Sequence, residues 1–372
     1  MKITLERASL LKSLAHVQSV VERRNTIPIL SNLLLEADNG NLSITATDLD
    51  IEVVETLSAD ISESGSTTVP AHVIYDIVRK LPDGSQIELH YGGDSERLEM
   101  SAGRSQFSLA CLPREDFPVM AASDMSTSFS ISAKGLKELI DKTRFAISTE
   151  ETRYYLNGIY LHTVDSEKGK RLRAVATDGH RLALYETSAP SGIEGMPGVI
   201  VPRKTVGEMY KLVDDVDSKI KISVSETKIR FSLDGVVLTS KLIDGTFPDY
   251  QRVIPSGNNR IMSVDAKKLI AATDRVSTVS SEKSRAVKMS LEENRITLAV
   301  SSPESGSATE EVEVEYTQEP MEIGFNARYL LEIANQIDGK NARFEMQEAG
   351  SPTIIREQAD EASLYVLMPM RV

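Results

Sequence analysis

The sequence is poor in cysteine and in long hydrophobic runs. Cys111 is the only cysteine among 372 residues, which excludes an intrachain disulfide and a thiolate metal site. We expect it to be a small core side chain in a reducing compartment. No stretch approaches the ~18 consecutive apolar residues of a membrane helix, and the first residues alternate like a strand. We therefore expect no membrane span, no signal peptide and a cytoplasmic location.

The usual signals of nucleotide and hydrolase chemistry are missing as well. The sequence contains no GxGxxG or GxxxxGK[ST] loop, no GxSxG elbow and no HExxH pair, so it has no familiar phosphate cradle, activated serine or zinc helix. Its histidines are scattered, which argues against a multi-histidine metal site; they are His16, His72, His90, His162 and His180. We expect no cofactor and no metal.

One short segment could pass for an active site. Asp178, His180 and Arg181 lie on a single predicted turn after the strand 172–176, so an enzyme acting on a small molecule by acid–base chemistry is an alternative. Neighbouring residues on a tight turn usually point apart, and Asp-Gly is a common turn signature. A binding loop is therefore the favoured interpretation.

The chain repeats itself three times. A short strand followed by an amphipathic helix occurs at 3–24, 129–147 and 262–279, and the apolar residues in each are spaced to fall on one helix face. A second strand-to-helix junction follows in each repeat, at 68–81, 200–213 and 323–337, and alternating strands come after it. This order predicts α+β domains in tandem, each with two helices packed on antiparallel sheets. We place their bounds at 1–124, 125–258 and 259–372.

Positive charge is concentrated in the predicted helices. The chain carries −13 overall, whereas the six helical windows together carry +9, which leaves −22 for the remaining residues. If all six helices shared one surface, that surface would attract DNA while the rest of the protein repelled it. Ordinary solvated helix faces also carry Lys and Arg, so the charge pattern alone does not decide.

Several stretches resemble the bacterial DNA polymerase III sliding clamp, the beta subunit, along the whole chain. They are Thr26-Ile27-Pro28-Ile29-Leu30, Arg153-Tyr154-Tyr155-Leu156-Asn157-Gly158, 177–183, Phe247-Pro248-Asp249-Tyr250 and Met368-Pro369-Met370-Arg371-Val372. The resemblance implies a processivity factor without catalytic residues. It also implies a head-to-tail homodimer that forms a six-domain ring, with helices lining the hole around double-stranded DNA.

The resemblance carries over two sets of contact residues. Contacts to DNA that do not depend on sequence are implied for Arg24, Arg104, Tyr154, Tyr155, Arg203, Lys204 and Arg252, while Glu150 stands where the family pattern has Gln. A hydrophobic pocket for partner peptides is implied at Leu156, Thr177, Gly179, His180, Arg181, Leu182, Pro248, Val253, Asn326, Tyr329, Val366, Leu367, Met368, Pro369, Met370 and Arg371. The flexible thioethers of Met368 and Met370 suit a pocket that receives varied apolar side chains.

Ring closure requires a seam between two copies. The resemblance places it between Phe107 and Leu109 of one protomer and Thr278 and Val279 of the other. Pairing of edge strands there would remove an exposed sheet edge, and Arg104 could pair with Glu310 or Glu311 across the seam.

The implied partners are duplex DNA, a second copy of the chain, the polymerase III catalytic subunit, the clamp loader, and other polymerases and repair proteins that carry clamp-binding peptides. A scaffold that never touches DNA is a second alternative.

Overall fold

The computed structural model describes residues 1–92, 96–214, 217–280 and 285–372. These residues pack into two compact units. Unit 1 contains residues 1–137, 190–197 and 204–242, and unit 2 contains residues 138–189, 198–203 and 243–372. The predicted middle repeat thus contributes residues to both units, whereas the domain bounds at 124/125 and 258/259 stay a prediction.

The described residues form six α-helices, two for each predicted repeat, and four short 3-10 helices. The α-helices are α1 (Arg7–Gln18), α2 (Ala71–Lys80), α3 (Ala133–Arg144), α4 (Arg203–Val213), α5 (Ala266–Ser277) and α6 (Ala327–Ala334). The 3-10 helices are Pro28–Ser31, Arg114–Asp116, Glu151–Leu156 and Tyr250–Val253. Each predicted strand-to-helix junction is confirmed, with starts within a few residues of those expected.

Unit 1 contains two antiparallel sheets. One has the order β5-β1-β7-β8-β9 and the other β10-β15-β16-β17-β4-β3-β2-β6. The strands of the first are β1 (Lys2–Glu6), β5 (Asp60–Glu63), β7 (Gln86–His90), β8 (Arg97–Ala102) and β9 (Ser105–Ala110). Those of the second are β2 (Asn32–Asp38), β3 (Asn41–Thr47), β4 (Ile51–Ser58), β6 (Gly65–Pro70), β10 (Thr127–Ser132), β15 (Lys219–Val224), β16 (Lys228–Leu233) and β17 (Val236–Lys241).

Unit 2 also contains two antiparallel sheets. Their orders are β14-β11-β12-β13-β25-β24-β23-β18 and β21-β20-β19-β22. The eight-stranded sheet contains β11 (Gly158–Ser166), β12 (Gly169–Thr177), β13 (Arg181–Ser188), β14 (Val199–Pro202), β18 (Arg260–Asp265), β23 (Asn341–Met346), β24 (Thr353–Glu357) and β25 (Ser363–Leu367). The four-stranded sheet contains β19 (Ala286–Glu292), β20 (Arg295–Ser302), β21 (Gly306–Glu313) and β22 (Met321–Asn326).

Each unit builds its core between helices and strands. In unit 1, α1 packs against α2 and against β3 and β4, and in unit 2, α5 packs against α6 and against β20 and β21. The predicted apolar face of α1 is buried at Leu10, Leu14 and Val17. Burial of one apolar stripe per helix supplies most of the helical stability.

The last helix is shorter than the sequence predicts. In α6, Asn326 caps the start by accepting hydrogen bonds from the backbone N–H groups of Arg328 and Tyr329. The helix ends at Ala334, three residues before the predicted end at Ile337, and at this end the Asn335 side-chain amide donates to the Leu331 carbonyl at 2.8 Å. Short polar side chains compete with the helix in this way.

Cys111 is buried, as expected from the sequence. Burial raises the pKa of its thiol, which keeps it in the unreactive protonated form. Within the described ranges, no helix is long and apolar enough to cross a membrane. The same residues contain no cluster of three or more His, Cys, Asp or Glu side chains arranged to hold a metal ion.

Candidate functional site

The turn between β12 and β13 is held by its own side chains. The Thr177 hydroxyl donates to the Arg181 carbonyl at 2.6 Å and accepts from the Gly179 N–H at 3.1 Å. Oδ1 of Asp178 accepts from the N–H groups of His180 and Arg181 at 2.9 and 3.1 Å. Asp178 is therefore committed to the turn, which weakens the alternative in which it acts as an acid or base.

Arg181 is buried, with its side chain only 6% exposed, and its guanidinium is fully engaged. Nε lies 3.2 Å from Asp178 Oδ2, and Nη1 pairs with Glu332 of α6. Nη2 donates to the Phe145 carbonyl, and the guanidinium carbon lies 4.3 Å from the centre of the Tyr329 ring. The cation therefore fastens the turn to α6, an arrangement that a bidentate, stacking arginine suits better than lysine.

Exposed His180 and half-buried Tyr329 form an aromatic wall beside this anchor. Their ring centres are 6.1 Å apart with 23° between the ring planes. Tyr329 is fixed in the first turn of α6, where Asn326 caps the helix, and His180 lies on the exposed part of the β12–β13 turn. The two rings offer a flat surface against which an apolar side chain can pack.

The C-terminal residues run directly past this wall. β25 pairs with β13, with Leu182 opposite Val366. Beyond β25, the Met368 N–H donates to the His180 carbonyl at 3.0 Å. Met368 and Met370 remain 36% and 38% exposed, so both thioethers lie at the surface beside His180.

A glycine in β22 lets the last residues lie flat on the sheet. The Met370 N–H donates to the Gly324 carbonyl at 2.8 Å. A Cβ atom at position 324 would lie 2.6 Å from the Met370 carbonyl oxygen and 2.3 Å from Cγ1 of Val372. Only glycine permits this approach, which pairs the C-terminal segment with β22, the last strand of the four-stranded sheet.

A buried apolar cluster forms the base of the candidate pocket. It contains the predicted pocket residues Leu156, Leu182 and Val366, together with Phe247 and Tyr250. Val253, at the end of the 3-10 helix that Tyr250 begins, is 44% exposed. Exposed apolar groups on a rigid buried base are typical of a peptide-binding surface.

A polar chain beneath the 3-10 helix fixes Tyr250. Its hydroxyl accepts from Arg173 at 3.0 Å and lies 3.1 Å from Nε2 of His162. Burial lowers the pKa of His162 to about 4, so at neutral pH its ring is uncharged and Nε2 can accept from Tyr250. Arg173 is held in turn by two hydrogen bonds to Glu186.

The predicted DNA contacts in unit 2 lie in two 3-10 helices and at the start of α4. Tyr154 is 53% exposed, Tyr155 follows it in the same 3-10 helix, and Arg203 is exposed at the first position of α4. Arg252 is 85% exposed and pairs with Asp249 at 2.8 Å. An exposed arginine with such a weak surface pair is free to exchange its carboxylate for a phosphate.

Glu150 pairs with a residue of its own loop. Its carboxylate takes two hydrogen bonds from Arg153, at 2.6 and 2.8 Å, and this contact holds the pKa of Glu150 below its usual range. Nη1 of Arg153 lies close to Gly179, so that a Cβ atom added at position 179 would be 2.5 Å from it. Glu150 thus serves to orient Arg153 against the pocket turn.

The predicted DNA contacts in unit 1 differ in how exposed they are and in whether a carboxylate already pairs with them. Arg24 and Arg104 are exposed. Lys204 is two-thirds buried, and its ammonium pairs with Asp48 at 2.5 Å and Glu22 at 2.6 Å. Burial alone would lower the pKa of Lys204, but the hydrogen bonds to the two carboxylates outweigh it and raise the pKa. Its charge is neutralised within the chain, so it attracts phosphate less than an exposed arginine does.

The predicted seam residues lie on or near strands at the ends of sheets. Phe107 and Leu109 belong to β9, the last strand of its sheet, and Thr278 and Val279 follow α5. In unit 2, β21 is likewise the last strand of its sheet. The proposed partners of Arg104 have other partners in their own chain, since Glu310 pairs with Arg275 and Glu311 lies 3.4 Å from Arg295.

Sequence reasoning missed two residues that shape the pocket. Glu332 neutralises Arg181, and Arg153 packs on Gly179. Glu332 lies three residues after Tyr329 on α6, so helical spacing could have placed both on one face. Arg153 carried no such signal, because its contact depends on a turn distant in sequence.

Comparisons with known proteins agree along the whole chain. Models of the DNA polymerase III beta subunit match residues 1–121 as the N-terminal domain, 130–249 as the central domain and 251–371 as the C-terminal domain. The beta sliding clamp of Caulobacter vibrioides (strain NA1000 / CB15N) is 55% identical over 372 residues, and that of Escherichia coli (strain K12) is 39% identical over 375; both matches cover all of each chain.

Solved structures are similar to the same extent. A sliding clamp from Bartonella birtlesii bound to griselimycin has a TM-score of 0.97 and 53% identity, with all of both chains covered. A C. crescentus beta sliding clamp, with PEG bound to a putative beta-motif tethering region, has a TM-score of 0.98 and 55% identity over 100% of this chain and 99% of that one.

Three tandem α+β domains, with an apolar surface beside an aromatic wall, define a sliding clamp. The chain belongs to the DNA polymerase III beta subunit family, and its function is that of a processivity factor in DNA replication. The resemblance inferred from the sequence and the α+β fold class are both confirmed.

Proposed function

We propose that two copies of this chain close head to tail into a six-domain ring around duplex DNA in the cytoplasm. The ring tethers the polymerase III catalytic subunit, the clamp loader and other polymerases and repair proteins through the pocket of unit 2. It carries out no catalysis and needs no cofactor. The three proposed domains are 1–124, 125–258 and 259–372.

The observation that carries the tethering proposal is the exposed apolar surface at the pocket. Met368, Met370 and Val253 are each more than a third exposed. The strand and the apolar cluster that they adjoin are buried. Methionine side chains adapt to differently shaped partners at little cost in conformational strain. Such a surface suits a clamp that must hold several proteins in turn.

The aromatic wall provides the test of this pocket. The variant His180→Ala removes one ring of the pair and should weaken binding of the polymerase III catalytic subunit about threefold to tenfold, the value of one aromatic contact. Griselimycin, which a relative binds, serves as a second probe in isothermal titration calorimetry. His90→Ala, at an exposed histidine of unit 1, is the matched control. Unchanged affinity of His180→Ala for both probes would remove this pocket from the proposal.

For DNA, we propose attraction without base contacts. Arg24, Arg104, Arg203 and Arg252 are exposed cations, and Tyr154 and Tyr155 complete the proposed set. Phosphate attraction of this kind is independent of sequence and leaves a ring free to slide. Lys204 contributes less because two carboxylates neutralise it.

For the seam, we propose pairing between β9 of one protomer and β21 of its partner. Both are terminal strands of their sheets within the described residues, and pairing would satisfy their open backbone groups. Phe107, Leu109, Thr278 and Val279 would pack around this junction. The double variant Phe107→Ala, Val279→Ala should lose buried apolar area and sediment as a monomer on dilution; a persistent dimer would refute these contacts.

A further inference from the structure

A second cavity lies in unit 2, and none of its lining residues is a predicted pocket residue or a proposed DNA contact. Its volume is about 1050 Å³. It is lined by β12, β13, β23 and β24, by the tip of the β11–β12 hairpin, and by the loop that joins β24 to β25. The size is at the upper end for a ligand site, while the lining is charged rather than apolar, unlike most small-molecule pockets.

The floor of this cavity is one face of the eight-stranded sheet. Arg343 and Glu345 alternate with fully buried Ala342, Phe344 and Met346 along β23. In β12, Arg171 precedes buried Leu172 in the same way. Because strand side chains alternate between faces, Arg171, Arg343 and Glu345 lie on the face opposite those buried neighbours.

Arginine exceeds carboxylate on this floor. Arg171 lies 3.4 Å from Glu186, whose other partner, Arg173 at 2.6 Å, is not part of the lining. Arg343 and Arg356 are directly opposite each other on neighbouring strands and share Glu345, at 3.1 and 3.5 Å. Three guanidinium groups of the lining thus meet two carboxylates, which leaves an excess of positive charge and unused guanidinium hydrogen-bond donors.

The rim has the opposite charge. Glu167 lies at the hairpin tip, and Glu357 and Asp360 lie at the other side of the opening. Lys168 on the hairpin pairs with Glu361 on the β24–β25 loop, so the two sides of the rim are joined at one point. An anion is attracted to the floor, whereas a cation is attracted to the edge.

We infer that this cavity is a docking site for an extended segment of a partner protein in which acidic residues are flanked by basic ones. The acidic side chains meet the arginine floor, and the basic side chains meet the acidic rim. A nucleic-acid backbone does not fit this pattern, because its continuous negative charge would be repelled by the rim carboxylates.

The strand order sets the spacing of the acidic residues. Arg171 on β12 and Arg356 on β24 are separated by β13 and β25, which is roughly 14 Å at the usual distance between strands. An extended peptide covers about 13 Å in four residues. The segment should therefore carry two acidic residues four positions apart.

A designed pair of peptides tests the charge pattern. The probe is Lys-Glu-Ser-Ser-Ser-Glu-Lys, blocked at both ends and labelled with a fluorophore, and its counterpart Glu-Lys-Ser-Ser-Ser-Lys-Glu has the same composition with the charges exchanged. Fluorescence anisotropy at low ionic strength should show saturable binding of the first peptide to the full-length dimer. The exchanged peptide should bind at least about tenfold more weakly, the value of one charge-assisted hydrogen-bonded contact.

Two variants locate that binding. Arg343→Gln combined with Arg356→Gln removes two of the three floor arginines and should weaken the first peptide about tenfold. Glu167→Lys changes only the exposed hairpin tip, so it cannot act by unfolding the sheet, and it should weaken the peptide severalfold. Arg114→Gln is the control, since Arg114 and its partner Glu36 are 38% and 41% exposed in unit 1, comparable to Arg343; this variant should bind as the unaltered protein does.

Three outcomes would overturn the inference. One is equal binding of the two peptides, or no binding of the first. Another is unchanged binding by both cavity variants. The third is competition by a short duplex oligonucleotide, because that would assign the arginine floor to nucleic acid instead of a partner protein.

Discussion

Leu49 and Gly179 occupy the same position in two copies of one turn. In the first copy the Thr47 hydroxyl donates to the Ile51 carbonyl at 2.8 Å and accepts from the Leu49 N–H at 3.0 Å. Asp48 accepts from the next two N–H groups, at 2.9 and 2.7 Å, as Asp178 does in the second copy. The backbone is left-handed in both, with φ of 81° at Leu49 and 88° at Gly179.

Substitutions at these two positions should change the stability of the protein in opposite directions. Leu49→Gly removes left-handed strain of about 1 to 2 kcal/mol, part of which is lost to the greater freedom of glycine in the unfolded chain. Urea denaturation should therefore show a net gain of about 0.5 to 1 kcal/mol. Gly179→Ala should lose stability, because it adds that strain and displaces Arg153. Changes of the same sign in both variants would refute the equivalence.

Arg181 should contribute far more stability than its neighbour Arg328. Both arginines pair with Glu332, but their side chains are 6% and 61% exposed. Arg181→Met leaves Glu332 and Asp178 without their buried cation and should cost about 3 kcal/mol in the free energy of unfolding. Arg328→Met should cost less than about 1 kcal/mol. Denaturant titrations of the two variants measure the difference, and equal losses would contradict the anchoring role of Arg181.

His162 should make stability depend on pH in a defined window. Its pKa is about 4 in the folded protein, below the value of about 6.5 expected when unfolded. The unfolded state therefore binds more protons between these values, so this contribution is fully present above about pH 6.5 and is lost as the pH falls toward 4. Between about pH 7 and about pH 5, the free energy of unfolding of His162→Asn should fall by about 1 kcal/mol less than that of the unaltered protein, after allowance for solvent screening. Parallel stability curves would show that His162 is not held neutral.

Arg203 and Lys204 are adjacent in sequence but should differ in their effect on DNA. Arg203 is exposed, whereas Lys204 is neutralised by Asp48 and Glu22. Arg203→Gln should weaken duplex binding and reduce the slope of log affinity against log salt by about one. Lys204→Gln should leave that slope nearly unchanged and lower stability instead. Anisotropy of a labelled duplex over a salt series separates the two, and equal slopes would contradict the assignment.

The repeats made most of the fold predictable. Apolar spacing located Leu10, Leu14 and Val17 on one face of α1, and alternation located β15 and β16 at their observed bounds. Local periodicity suffices there because each element buries one face. It could not show that residues of the middle repeat are shared between two compact units, since that depends on pairing of strands distant in sequence.

The pocket was predictable from resemblance and only partly from chemistry. The Thr177–Arg181 turn was visible in the sequence and favoured a binding loop, but it left open an acid–base role for Asp178, His180 and Arg181. Only the contacts with the turn amides, Glu332 and the Tyr329 ring assign them to positioning. For Lys204 the resemblance implied a DNA contact, whereas its two carboxylate partners could not be found from residue spacing.

Topological retention tests the central claim most directly. Labelled protein is loaded by the clamp loader onto closed circular duplex and onto the same duplex cut once, and both are passed through a gel-filtration column at a salt concentration that screens surface charge. A ring that holds DNA without gripping it predicts coelution with the circle and loss from the cut molecule. Equal retention on both forms, or on neither, would contradict it.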